Sequence, residues 1–100
     1  MITAAHCCDK IKDGVQVVAG EHILSTEDGT EQIRSIEKFI KHSGYEKPKF
    51  FDDICMLHFE TAFVQTKFVQ FIRLASKTPY YGSLCQISGW GASQVNSTVQ

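Results

Sequence analysis

Ile2-Thr3-Ala4-Ala5-His6-Cys7 opens the chain, and Asp52-Asp53-Ile54-Cys55-Met56-Leu57 lies roughly halfway along it. The first stretch is a run of small residues delivering a histidine. The second is an aspartate heading an apolar, strand-like run. Together they carry a chemistry. A neutral imidazole accepts a proton from a nucleophile, and a buried carboxylate on its other nitrogen fixes the tautomer and stabilises the imidazolium that forms. Of the two adjacent carboxylates, Asp53 directly precedes the Ile-x-x-Leu run. Asp52 faces elsewhere, because successive residues of an extended chain point to opposite sides.

Outward from these stretches, Ser88-Gly89-Trp90-Gly91 adds a third motif. With Thr3-Ala4-Ala5-His6-Cys7 and Asp53-Ile54-x-x-Leu57, it makes the chain resemble the trypsin/chymotrypsin family of serine proteases from residue 1 to about residue 95. The resemblance implies an all-β fold, an incomplete antiparallel double β-barrel with most of the first barrel and the first strand of the second. It also implies one partial domain over residues 1–100, truncated at both ends, since family members are more than twice as long. Met1 would stand where the family has an ordinary strand residue. By the resemblance His6 is the general base and Asp53 the residue that orients it. Phe50, three residues earlier, would wall the substrate subsite next to the primary specificity pocket; it would equally shield the carboxylate from water.

Composition agrees with a folded domain: 43% of the residues are apolar and the net charge is −1. Basic residues are scattered, so nothing favours nucleic acid or an anionic membrane as a partner. No run reaches the about eighteen apolar residues of a membrane span, and no basic-then-apolar leader is visible. The resemblance adds protein or peptide substrates, protease inhibitors, a monomeric state and secretion for the complete enzyme.

Four cysteines invite pairing. Zinc at His6, Cys7 and Cys8 is a poor reading, because consecutive residues rarely converge on one ion and no second ligand cluster has zinc-like spacing. In the family the cysteine after the histidine pairs with one on a preceding strand, which leaves Cys7 without a partner here. Cys85 resembles a cysteine that pairs far downstream. Cys8 and Cys55 fall outside those pairings, and Cys55, inside an apolar run, reads as a buried free thiol.

Between the two opening motifs, Val15 to Val18 reads as a β-branched strand. Glu21, Glu27, Asp28 and Glu31 then put four carboxylates within eleven residues, around an Asp28-Gly29 turn. Crowded carboxylates need water or a cation, and calcium takes carboxylate and carbonyl oxygens in flexible geometry. The segment resembles the calcium loop of trypsins, which implies Glu21 and Glu31 as side-chain ligands, Ile23 and Thr26 as carbonyl ligands, and Asp28 acting through water. A solvated acidic hairpin is the other reading. From Glu31 to His42, the apolar spacing of Ile33, Ile36, Phe39 and Ile40 suits a helix, but the resemblance implies an irregularly bulged strand whose register the flanking motifs fix, and a strand is expected. Thr61 to Pro79 resembles the segment crossing between barrels, and Leu84 to Trp90 the opening strand of the second. Ala92 to Gln100 is Ser/Gln/Asn-rich, reads as disordered, and contains a glycosylation acceptor, Asn96-Ser97-Thr98.

The nucleophile is missing: Gly-Asp-Ser-Gly-Gly, the family's serine motif, occurs nowhere in the chain. Three readings follow. The chain is part of an active trypsin-like endopeptidase, part of a non-catalytic homologue that binds proteins, or a short calcium-binding module. Retention of both His6 and Asp53 favours the first.

Overall fold

The computed structural model describes residues 1–93. It divides into two units, Met1–Gln70 and Phe71–Gln100. The tail reading at Ala92 to Gln100 and the Asn96-Ser97-Thr98 acceptor lie wholly or largely outside the described residues.

The first unit is built on four strands and one helical turn: β1 (Ile2–Thr3), α1 (Ala5–Cys8), β2 (Gln16–Ala19), β3 (Gln32–Lys41) and β4 (Cys55–Phe59). The strands form one sheet in the order β1-β4-β3-β2, with every pair antiparallel. This is the expected all-β, antiparallel architecture. β4 is the centre of it. Ile2 faces Met56 and Thr3 faces Cys55 on one side, while Phe39 faces Leu57 and Ile40 faces Met56 on the other. Alternation along β4 turns Cys55 and Leu57 inward and leaves Met56 and His58 in water.

β3 settles the conflict between helical spacing and strand context in favour of the strand. Its inward positions over the first half are Gln32, Arg34 and Ile36, two of them polar. These polar side chains are used to hold the chain beyond β4. Gln32 donates Nε2–H to the Val64 carbonyl at 2.7 Å and accepts the Val64 N–H at 2.8 Å. Arg34 donates to the Ala62 carbonyl and lies over the Phe63 ring. A side chain is thus doing a neighbouring strand's hydrogen bonding, which explains polar residues at inward positions. A register shift between Ile36 and Lys38 supplies the expected bulge.

The core of this unit is small. Ala5, Cys8, Cys55 and Leu57 form it, with Ile11, Val17, Ile36, Tyr45 and Phe59 packed around. Its centre is a covalent bond: Cys8 and Cys55 form a disulfide, their Cα atoms 6.7 Å apart, and each residue is only 1% exposed. The free thiol expected at Cys55 is therefore corrected. The residue is buried as expected, but α1 brings Cys8 against the same inward face of β4. Cys7 and Cys85 are free and exposed.

Gly20 closes the unit's other end. Its φ is +76°, and a Cβ there would run into the Thr30 carbonyl, so only glycine fits. Val69, also buried, packs at the same place.

Among the described residues of the second unit, 71–93, there is no regular element. A turn at Tyr80–Ser83 is closed by Ser83 N–H to the Tyr80 carbonyl at 3.0 Å. The strand expected over Leu84 to Trp90 is not formed, and Leu84 and Ile87 are fully exposed. A strand is defined by its ladder, and no described strand offers those residues partners.

Candidate active site

α1 is a single turn, far too short to be stable by itself. Its N-cap, Ala4, provides no side-chain hydrogen bond. The turn is held by the buried Ala5 and Cys8 and by a carboxylate from the other end of the unit. Asp53 Oδ1 accepts the His6 backbone N–H at 2.8 Å, and Asp53 Oδ2 lies 2.6 Å from His6 Nδ1. The small side chains of Ala4 and Ala5 leave room for the carboxylate to reach the backbone. With the carboxylate as acceptor, Nδ1 carries the proton and Nε2 keeps its lone pair, as a general base requires.

Asp53 sits in competing fields. Partial burial disfavours its charge, but hydrogen bonds from the His6 N–H and the His6 ring outweigh this. The electrostatic effect of the ring and the Ala5 N–H act in the same direction. The net effect holds the carboxyl below its ordinary value. The Asp53 side chain is 22% exposed and that of His6 is 45% exposed. The sheltered carboxylate thus faces inward, and the imidazole presents its outer edge to solvent.

The loop before Asp53 is bent to deliver it. Phe50 and Asp52 both have positive φ, +56° and +52°, a region that side-chain-bearing residues visit at a cost. Phe50 N–H to the Glu46 carbonyl at 2.7 Å and Glu46 N–H to the Phe51 carbonyl at 3.2 Å hold that shape, and the Lys47–Pro48 bond within it is cis. The Phe50 ring meets the His6 imidazole edge-on, with centroids 5.6 Å apart. Asp52 lies away from this pair, 3.7 Å from His42.

A further cluster went unread in the sequence. Asp9, at the end of α1, accepts from Lys41 at 2.7 Å, from Lys47 at 3.0 Å and from the Tyr45 hydroxyl at 3.0 Å. Lys41, then Lys47, hold its carboxyl far below the usual range. Burial and the Asp9 carboxylate push the Tyr45 phenol up to about 12. Asp9 thereby ties the turn carrying His6 to the loop carrying Phe50 and Asp53. No local motif announces it, because its partners are 32 to 38 residues away in sequence.

The acidic loop is organised by its own backbone. Glu31 Oε1 accepts the Asp28 N–H at 2.8 Å, Glu21 Oε1 accepts the His22 N–H at 3.1 Å, and the Ile23 carbonyl accepts the Thr26 N–H at 2.9 Å. Hydrogen bonds from Asp28 and its neighbours hold the Glu31 carboxyl below its ordinary value. Among the described residues no group of three or more His, Cys, Asp or Glu is arranged to take a metal ion. Calcium here would have to be held by two carboxylates together with carbonyl oxygens. The loop's hard-oxygen donors are compatible with that.

The family model described as Trypsin matches residues 1–100. Trypsin I-P1 of Gallus gallus is 36% identical over 91 residues, which is 91% of this chain and 36% of that protein. Granzyme E of Mus musculus is 32% identical over 100 residues, covering 98% of this chain and 39% of that protein. A trypsin of Xenopus laevis is 35% identical over 98 residues, again 98% and 39%. The chain therefore spans well under half the length of the relatives it matches. The match of that family model to the whole of residues 1–100 makes the chain a member of the trypsin family.

Proposed function

We propose that this chain is the histidine- and aspartate-bearing part of a secreted, monomeric serine endopeptidase. In that reading the complete protein hydrolyses peptide bonds through an acyl-enzyme. The observation that carries it is the 2.6 Å contact between His6 Nδ1 and Asp53 Oδ2. It leaves Nε2 free to take the proton of a serine supplied from outside these hundred residues. His6 then returns that proton to the leaving amine, while Asp53 stabilises the imidazolium without taking the proton itself. Phe50, already against the imidazole, would form one wall of the cleft for a protein or peptide substrate and for inhibitors that mimic one. Gly-Asp-Ser-Gly-Gly occurs nowhere in these hundred residues, so in this reading the chain by itself would be inactive. No helix among the described residues is long and apolar enough to cross a membrane.

Calcium belongs to the same proposal as a structural ion, held by the Glu21 and Glu31 carboxylates and the Ile23 and Thr26 carbonyls. It would neutralise a crowded loop and take no part in the chemistry.

The test is His6→Ala in the complete protein. Turnover should fall by about two to four orders of magnitude, with substrate binding largely kept. Turnover within about tenfold of the parent would remove His6 from the role. A complete sequence without a serine in the Gly-Asp-Ser-Gly-Gly context would establish the binding-only homologue instead.

A further inference from the structure

His6 and Asp53 lie outside the regular strands, on segments with little intrinsic order. His6 is in a one-turn helix with no side-chain cap, and Asp53 follows a left-handed residue and stands two residues before the first residue of β4. Yet their separation is defined to hydrogen-bonding distance at two points. Asp9 ties the two segments through Lys47 and Tyr45, and a second restraint lies closer to the pair. Cys8 stands two residues after His6 and Cys55 two residues after Asp53. The path from His6 through Cys7, Cys8, the disulfide, Cys55 and Ile54 to Asp53 is therefore a short covalent strap. The two hydrogen bonds close it into a ring. The strap is anchored in the small core: both half-cystines are 1% exposed and cluster with Ala5 and Leu57.

We propose that the Cys8–Cys55 disulfide is a positioning element for the His6–Asp53 pair, holding the imidazole at the carboxylate instead of serving only as core packing. This rests on the reading of His6 as the general base. A short strap raises the effective concentration of the carboxylate at the ring, because the segments no longer lose freedom when the hydrogen bonds form. The coupling is reciprocal. Whatever the disulfide contributes to the His6–Asp53 contact, the contact returns to the disulfide as resistance to reduction.

The experiment uses the complete protein and two variants. Cys8→Ala/Cys55→Ala removes the strap. Leu57→Ala removes buried volume from the same cluster and leaves the strap in place. At a temperature where both are folded, the double variant should lose or broaden the downfield proton resonance of His6 Nδ1–H. Its kcat should fall roughly tenfold or more with KM little changed. Leu57→Ala should keep the resonance and lose less than about threefold in kcat. An intact resonance in the double variant, with kcat within about threefold of the parent, overturns the proposal. So does equal damage in both variants, which would mean that core packing alone matters.

Should the double variant not fold, Asp53→Asn with all cysteines in place decides the matter. The Cys8–Cys55 pair, equilibrated with glutathione, should shift roughly tenfold or more toward the dithiol. An unchanged equilibrium overturns the strap. Failure of the enzymatic reading is separately visible. A parent that does not react with a fluorophosphonate probe is no serine hydrolase, while the resonance and the glutathione equilibrium still report on the strap.

Discussion

The same disulfide should decide whether the hundred-residue chain holds any tertiary structure when made alone. Reduction is the perturbation. The bond joins residues 47 apart in sequence, and the loop it closes removes about 4 kcal/mol of chain entropy from the unfolded state. By comparison, burying a leucine such as Leu57 contributes about 2 kcal/mol. Besides the two half-cystines, only Ala5, Leu57 and Val69 are buried hydrophobics among the described residues, while Ile40, Met56, Phe51 and many other large side chains are exposed. No other single contribution in this unit approaches the disulfide. The assay is hydrogen exchange in a Cys7→Ser/Cys85→Ser background, where only the buried pair remains to be reduced. A difference of about 4 kcal/mol corresponds to roughly a thousandfold in protection. The Leu57 amide, donating to the Met1 carbonyl at 2.8 Å, and the His6 amide on Asp53 should show most of it. Protection that is equal in oxidised and reduced chains, high in both or absent in both, would refute the reasoning.

Acid should loosen the Asp9 cluster. Its carboxyl is depressed in the folded state by Lys41 and Lys47, so its contribution is complete above the unfolded value near 3.8 and is lost as pH falls toward the folded one. Urea midpoints of the complete protein should therefore drop below about pH 4, less steeply in Asp9→Asn, and identical slopes would count against the cluster. Gly20→Ala should cost about 2 kcal/mol or more, from positive φ and collision with the Thr30 carbonyl; a melting curve within error of the parent would contradict it. Calcium should raise the melting temperature of the complete protein, through roughly 2.7 kcal/mol at a hundred times its dissociation constant, and Glu21→Gln should abolish the rise. A parent unaffected by calcium or chelator would remove the ion from the loop.

Much of the site was legible in the chain because its chemistry is written in short motifs. Thr3-Ala4-Ala5-His6-Cys7 was legible through the family it resembles, and the fold supplies the reason: the alanines leave room for a distant carboxylate to reach the His6 N–H. Asp53 was separable from Asp52 by its place directly before the Ile-x-x-Leu run of the family it resembles, with alternation turning Asp52 elsewhere. The strand at Gln32–Lys41 was less legible. Its inward Gln32 and Arg34 look misplaced until the 61–64 segment is seen to need their hydrogen bonds. Other features belonged to the tertiary structure. The pairing of Cys8 with Cys55 falls outside the pairings that the family resemblance implies. Its one sequence trace is the equal offset of two residues from His6 and from Asp53, and that offset means nothing until those two are known to touch. Asp9 left no trace, since an aspartate after a helical turn is ordinary and its three partners are brought to it only by the folding of β3 and the loop beyond. Leu84 to Trp90 shows the converse. The family resemblance implied a strand, but a strand exists only with a partner to bond, and none of the described residues provides one. Sequence determines which residues are fit for a role; proximity between residues far apart in the chain decides which of them can perform it.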